Sequence, residues 1–449
     1  MRRLRLLFAL PLLLAAGAPM PPPGADPAWS ILEGLTTEIG PRPAGSDAEA
    51  RARAWAVARL TALGFSNVRV EPFDVPYWAR GTESAAVTAP FPQPLAVTAL
   101  GNSGATPPSG LEAPVAAFAS LAALDAAPAE AVAGRIVYVG HAMAPTQDGS
   151  GYGQYGAARF RGPAIAAGKG AAAIIIRSIG TDRHRLPHTG QTVFPDGVAP
   201  IPAAALANPD ADQLERIVAR GRPVRLRLVL TPLAGGQRPS GNVIAEVPGT
   251  DPAAGIVAIG GHLDSWDLGT GAIDNAAGVA ITAAAARRIL DERRPRRTIR
   301  LIWFGAEEIG GLGGRAYFER HRAEPHALVA ESDFGADRIW RFQTRLPAAA
   351  AGLADRLEQA LAPFGIVRGR GTANAGADLG PWARAGTNAI DLNQDGTRYF
   401  DLHHTADDTI DKIDPAQLEQ NVAAWTAMLR LVGDAPEDLL NQNSLTGTP

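Results

Sequence analysis

Apolar positions recur every three to four residues in two stretches near the start of the chain. The first holds Trp29, Ile31, Leu32 and Leu35, the second Ala54, Trp55, Val57, Ala58, Leu60 and Leu63. This is the one-sided pattern of amphipathic helices, so two are predicted between Pro27 and Gly64, the second stopped by Gly64. From Asn67 to Val75 the period falls to two, with Val68, Val70 and Phe73 alternating with polar neighbours, which predicts a half-buried strand. Between about Glu83 and Leu233 the texture is one of short strands, among them Val115–Phe118, Arg135–Val139, Ala171–Arg177 and Val224–Leu230, with a helix at Gly162–Lys169. Turns rich in Ala, Pro and Gly separate them, and the block reads as a small β-rich insertion.

After Gly241 apolar strands alternate with amphipathic helices: Gly255–Gly260, Asn275–Leu290, Thr298–Phe304, Gly313–Arg322 and Leu328–Ser332. Asn388–Leu392 adds a strand, and Gln417–Leu431 a final helix with Val422, Trp425, Leu429 and Val432 on one side. The alternation predicts an α/β fold, a mixed and mostly parallel sheet sandwiched by helices. The expected organisation is a discontinuous α/β domain, residues 28–83 and 234–440, interrupted by the β-rich insert 84–233 and followed by a disordered tail, 441–449.

The first six residues carry three arginines, Leu6 to Leu14 is almost wholly apolar, and Ala16-Gly17-Ala18 has the small-x-small form of a cleavage site. The apolar run is well short of the ~20 residues that span a bilayer. Residues 1–18 therefore read as a secretory signal peptide and 19–27 as a proline-rich leader, which predicts a periplasmic or secreted protein with no stable membrane span after cleavage.

With 449 residues, 46% hydrophobic and 19% charged, the chain can bury large cores, and disorder is excluded. A net charge of −3 offers no field to hold nucleic acid. The absence of cysteine removes thiolate metal sites, iron–sulfur clusters, disulfides and cysteine nucleophiles together, so any metal must be held by His, Asp and Glu.

Those residues gather where strands run out into loops, the place where open α/β sheets build ligand sites. His262 follows one apolar strand, with Asp264 two residues on and Asp274 twelve on; Glu307-Glu308 follows a second, Asp333 a third, and His403-His404 lies further along. Neighbouring parallel strands stand about 5 Å apart, so these ends converge. Three clustered carboxylates would raise one another's pKa unless divalent cations compensate them.

Imidazole and carboxylate donors favour zinc, with cobalt or manganese as alternatives. Two ions per chain are expected, one on His262 and Asp333, the other on Glu308 and His404, with Asp274 bridging. Three negative ligand charges against four positive leave an excess of one, which a bridging hydroxide neutralises. Glu307, beside a ligand but pointing elsewhere, is the candidate general base. Asp264 is read as accepting from His262 and fixing its tautomer, and Asp408 as doing the same for His404, with a cap or turn role as the alternative for both.

The motifs Gly261-His262-Leu263-Asp264-Ser265-Trp266-Asp267, Gly271-Ala272-Ile273-Asp274-Asn275, Ala306-Glu307-Glu308, Glu331-Ser332-Asp333 and His403-His404-Thr405 resemble those of the co-catalytic dizinc exopeptidases of the aminopeptidase and carboxypeptidase Q type. The resemblance extends to Gly40-Pro41-Arg42-Pro43-Ala44-Gly45-Ser46, Pro187-His188-Thr189-Gly190 and Asp196-Gly197-Val198. It implies a zinc exopeptidase fold, an insert like a protease-associated domain beside the active site, and a homodimer. It also implies the metal ligands His262, Asp274, Glu308, Asp333 and His404, with Glu307 as base.

Asn275 and Ala276-Ala277 depart from the acidic and glycine residues that follow the bridging Asp in the most similar members, though Asp-Asn is common elsewhere in the wider family, where that peptide is often cis. The resemblance makes His403 a candidate donor to the developing oxyanion, the alternative being a ring that packs behind the site. It places Tyr399 and Asp378 near the substrate, and His188 is read as reaching either the cleft or a dimer contact. The run Arg293–Arg297 reads as a solvated turn, and Gly310–Gly314 lacks the Lys-Ser/Thr of a phosphate loop.

The function expected is an exported dizinc metallo-exopeptidase hydrolysing dipeptides or short peptides through a metal-bridging hydroxide. An aminopeptidase acting on longer peptides, a single-zinc acyltransferase and a non-enzymatic binding protein with structural metals stand as alternatives.

Overall fold

The computed structural model describes residues 27–440. The predicted signal peptide, all but the last residue of the leader, and the tail lie outside the described residues. Eight strands form the main sheet: β1 (Ser66–Ala79), β2 (Leu233–Val247), β3 (Ile256–His262), β4 (Thr298–Phe304), β5 (His326–Glu331), β6 (Ile339–Arg345), β7 (Val367–Arg368) and β8 (Ala389–Gln394). Their order is β1-β2-β4-β3-β5-β8-β6-β7. The central four, β4-β3-β5-β8, run parallel, and the neighbours on either side, β2 and β6, are antiparallel to them.

The apolar runs read from the sequence are these central strands, and their alternation shows why both faces are covered. On β4, Ile299, Leu301 and Trp303 enter one core while Ile302 and Phe304 enter another on the opposite face. The first core is closed by the helices Pro27–Gly34, Ala277–Glu292 and Pro415–Asp434, the second by Leu312–His321 and Gly380–Arg384. Every residue from Ala277 to Ala286 is buried. These small side chains let the helix lie close against the sheet, where larger ones would overpack.

Residues 83–230 build a second eight-stranded sheet, whose strands Leu111–Phe118, Ile136–Val139, Ala173–Arg177 and Ala203–Leu206 are parallel. The block is richer in helix than expected. Its main helix spans Gly151–Gly168, and a further one covers Asn208–Val218. The sequence pattern missed the latter because its apolar stripe is thin: only Ala211, Leu214 and Ile217 are apolar and buried. The block thus holds the short strands expected of it together with these helices. The long antiparallel ribbon of β1 and β2 leads the chain into and out of it.

One basic residue departs from the expected solvated turn. Arg297 is 1% exposed, and its guanidinium donates to the carbonyls of Ala254, Val432, Ala435 and Glu437 at 2.7–3.1 Å, tying the final helix to the amino end of β4. Removing the guanidinium takes a donor from four carbonyls, of which Val432 and Ala435 keep a second one. Arg297→Met is expected to lower the unfolding free energy by about 2–4 kcal/mol, read as a fall in the urea midpoint. Activity of the folded protein should be unchanged, because this is the opposite end of the strand from the site described next.

Candidate metal centre

Each candidate donor emerges at the carboxyl end of a central parallel strand. His262 is the last residue of β3, Glu307 and Glu308 follow β4 after Gly305-Ala306, Asp333 lies two residues past β5, and His403-His404 follow β8 and the short helix Tyr399–Leu402. Asp274 sits at the head of the buried helix, and the Asp274–Asn275 peptide is cis. Two non-glycine residues here adopt left-handed backbone, Ala306 at φ 58° and His404 at φ 62°. Such conformations are costly and persist only where surrounding contacts impose them.

The five predicted ligands converge. His262 Nε2 lies 2.9 Å from Asp274 Oδ1 and 3.3 Å from Asp333 Oδ1. His404 Nε2 lies 3.3 Å from Asp274 Oδ2 and 3.1 Å from Glu308 Oε2. One oxygen of Asp274 therefore faces one His–carboxylate pair and the other oxygen faces a second. Donors sharing a tetrahedral zinc at about 2.0–2.2 Å would stand roughly 3.3–3.6 Å apart, so these spacings suit metal coordination with little rearrangement. Glu308 Oε1 is buried without a hydrogen-bond partner, a coordination capacity the described residues leave unused.

Electrostatics point the same way. Burial, reinforced by the charge of Asp274, pushes Glu308 up to about 6. Burial would depress both histidines, but the carboxylates outweigh it: His262 is held well above its usual range and His404 is raised to about 9. Asp274 is held well below the usual carboxylate range, because its hydrogen bonds to His262 and His404 overcome the effect of burial. Negative charge is in excess, as expected of a cation site.

Glu307, Glu308, Asp274, Asp333, His403, His404 and Tyr399 line one cavity of about 310 Å³. Burial, followed by the charges of Asp333, Asp378 and Glu308, drives Glu307 well above the usual carboxylate range despite His262. His403 stacks on His404, ring centroids 3.5 Å apart, with Nε2 3.4 Å from Asp274 Oδ2 and Nδ1 buried without a partner. Tyr399 stacks on Phe334 at the cavity wall.

For Asp264 and Asp408 the alternative cap or turn role is the one observed, and Asp378 lies outside the cavity lining. His262 Nδ1 is fixed by the backbone carbonyl of Asp264 at 2.9 Å, while the carboxylate stands 3.7 Å away and instead accepts from the amides of Glu307 and Glu308. Asp264 thus caps the turn that aims the two glutamates. Asp408 does not reach His404. Its carboxylate accepts from Ile273 N–H at 2.7 Å and so braces the Asp274 loop, and burial with the nearby Asp274 charge raises it to about 7. Asp378 is fully buried behind the cavity, where its carboxylate accepts from Gly314 N–H.

Other supports went unread in the sequence. Arg42, buried and drawn down to about 10 by desolvation, donates to the carbonyls of Leu263, Thr270 and Gly271, staking out the loop between His262 and Asp274. The motif containing Arg42 was visible, but its reach to a loop more than 200 residues away was not. From the insert, Thr189 offers its carbonyl to His404 Nδ1 at 3.2 Å, and Arg159 lines the cavity. Gly278 permits the helix approach, since a Cβ there would lie 2.0 Å from the carbonyl oxygen of Ser332.

Clustered His, Asp and Glu donors at the open end of a parallel α/β sheet define a metallohydrolase-like centre, and comparison with known proteins agrees. Peptidase family M28 matches residues 242–429. Carboxypeptidase Q of Mus musculus is 33% identical over 412 residues, 90% of this chain and 85% of that protein. The crystal structure of a peptidase M28 precursor from Shewanella amazonensis superposes with a TM-score of 0.90 at 45% identity, covering 93% of this chain and 95% of that one. A zinc aminopeptidase from Bacillus subtilis, 20% identical with a TM-score of 0.65 over 92% of this chain and 96% of its own, shares the fold. The protein is a peptidase of the zinc-dependent exopeptidase class. It belongs to peptidase family M28.

Arg42 gives this assignment a direct check. Arg42→Met takes a donor from three carbonyls, of which only that of Gly271 keeps another, the Ala276 N–H, and frees the loop that spaces His262 from Asp274. Loss of such a support around a metal site costs roughly 10–100-fold in activity or metal affinity. A fall of that size in kcat/KM is expected, with zinc content of the purified protein measured in parallel.

Proposed function

We propose that the chain is an exported exopeptidase that uses two zinc ions to hydrolyse the peptide bond of dipeptides and short peptides. The observation that carries this reading is the double engagement of Asp274, whose two oxygens face His262 with Asp333 and His404 with Glu308. His262 and Asp333 would hold one ion, His404 and Glu308 the other, and Asp274 both. Bound there, two zinc ions would polarise the scissile carbonyl and acidify an attacking water.

The chain's own groups supply the rest. Glu307 sits on the cavity with its backbone fixed by Asp264, and takes the proton of the attacking water before passing it to the leaving amine. Its pKa is displaced upward, the direction suited to a group that must both accept and return a proton near neutral pH. Burial and the neighbouring His404 keep the His403 ring neutral, so it can donate one N–H to the charge developing on the carbonyl oxygen.

The preference for short substrates follows from Arg159. The residue is 2% exposed; its guanidinium packs between Tyr152 and Phe160, and it lines the same cavity, yet it makes no ion pair among the described residues and its Nε is unpartnered. A buried cation of this kind is matched by the free carboxylate of a short peptide. Export rests on the signal-like residues 1–18; no described helix is long and apolar enough to cross a membrane. Residues 84–233 are read as a protease-associated-like insert, and a homodimer is the assembly this reading carries.

Two measurements test the reading. Glu307→Gln should lower kcat by roughly 10²–10⁴-fold while zinc content stays at two per chain; wild-type turnover in the loaded variant would remove Glu307 from the role. For Arg159→Met, KM for Ala-Ala should rise about tenfold or more, with little change for the amidated dipeptide, since a charge-assisted hydrogen bond contributes about 1.5–3 kcal/mol. Equal losses on both substrates would deny the carboxylate contact.

A further inference from the structure

The segment 181–189 of the insert runs alongside the loop that carries His403 and His404, and it is bonded to that loop residue by residue. Thr181 N–H donates to the carbonyl of Phe400 at 3.0 Å, and its hydroxyl to the carboxylate of Asp401 at 2.6 Å. His184 Nε2 lies 2.8 Å from the carbonyl of Asp401. His188 Nδ1 donates to the carbonyl of His403 at 2.6 Å, and Thr189 N–H to that of His404 at 3.0 Å. The return contact is His404 Nδ1 to the carbonyl of Thr189, 3.2 Å.

His188 is the buried centre of this seam, 1% exposed, and its second nitrogen is held by the insert itself. Nε2 faces Asp182 Oδ1 at 2.6 Å, and Asn208 donates to the same carboxylate at 2.9 Å. A Cβ on Gly180 would come within 2.2 Å of His188 Nε2, so glycine there leaves room for the ring. The sequence reading sent His188 to the cleft or to a dimer contact; it reaches instead the backbone of the residue before His404.

That contact falls where the backbone needs it. His404 holds φ at 62°, a conformation that only imposed contacts keep in a β-carbon residue, and this is the conformation that turns Nε2 toward Glu308 and Asp274. The other half of the centre is assembled differently. His262 is oriented by the carbonyl of Asp264, and its loop by Arg42, all within the main α/β domain; the insert meets this loop beyond those braces, through Arg80, which pairs with Asp267 and donates to the Thr189 hydroxyl.

We propose that His188, anchored by Asp182, is a positioning residue for the cation site formed by Glu308 and His404, so that the insert completes one of the two metal sites and leaves the His262–Asp333 site to the braces of the main domain. This rests on the two-zinc reading above. The consequence is an asymmetry: damage to the seam weakens one ion and spares the other.

The test is zinc binding by the full chain, followed by competition with a chromophoric chelator and by the visible absorption of the cobalt-substituted protein. Wild type should take up two ions. His188→Ala should keep one at wild-type affinity and bind the second roughly 10–100-fold more weakly, with the matching cobalt band lost or shifted. His188→Asn, whose amide can still donate to the His403 carbonyl, should restore most of the loss. If His188→Ala does not fold, Asp182→Asn carries the same comparison. Two ions bound as in wild type by the variant, or both weakened equally, would overturn the proposal while leaving the two-zinc reading intact. A wild-type chain that binds fewer than two ions would overturn that reading, and this proposal with it.

Discussion

The structure turns on negative charge buried in one place. Asp274, Glu308 and Asp333 meet around two histidines at the end of a sheet, where water is too scarce to screen them. Such a cluster is unstable as three bare carboxylates. The protein's internal answer is visible in the displaced ionisations: both histidines are drawn toward the charged form and Glu308 toward the neutral one. In the two-zinc reading cations take over that work, and ligand binding and proton release become one event. Glu307, one residue from a ligand, sits in the same field and yet has its own direction into the cavity.

Parallel pairing makes the convergence possible. A hairpin would send successive strand ends to opposite sides, whereas β4, β3, β5 and β8 all deliver their last residues to one edge. The price of that arrangement is loops that must turn sharply as soon as each strand ends. Left-handed Ala306 and His404, the Asp264 carboxylate beneath the Glu307-Glu308 turn, and Arg42 across the His262 loop are the means by which those turns are held.

Much of this was legible in the chain. The strands read from apolar runs are found with ends shifted by a few residues, although Leu233–Val247 and Ile339–Arg345 went unread, and the donors read at strand ends lie there, with Asp274 at the head of the buried helix, because period and polarity are local properties. Supports were harder to read. Asp264 and Asp408 were matched to the nearest histidines along the chain or family motif, but a carboxylate beside a tight turn is drawn to exposed backbone amides, and both ended there. The thin apolar stripe of Asn208–Val218 hid a helix. Arg297, embedded in a run of arginines, looked solvated although it crosses to the far end of another helix. Contacts of this kind join residues from about forty to more than a hundred positions apart, and no local pattern encodes them.

The two halves of the centre differ in the distance over which they are specified. His262 and Asp274 are braced by Arg42 and Asp408, both of the main α/β domain, and their loop meets the insert through Arg80, which pairs with Asp267 and donates to the Thr189 hydroxyl. His404 depends on a seam between two sheets, one of which is laid down by residues 83–230. An insertion that merely covered the cleft could drift without consequence for the donors. One whose backbone is bonded to the ligand loop at Thr181, His188 and Thr189 cannot, because any displacement of the seam is transmitted to the turn at His404. The geometry therefore ties the orientation of the insert to the integrity of the site, and makes the insert part of the centre's scaffold in addition to a wall of its cavity.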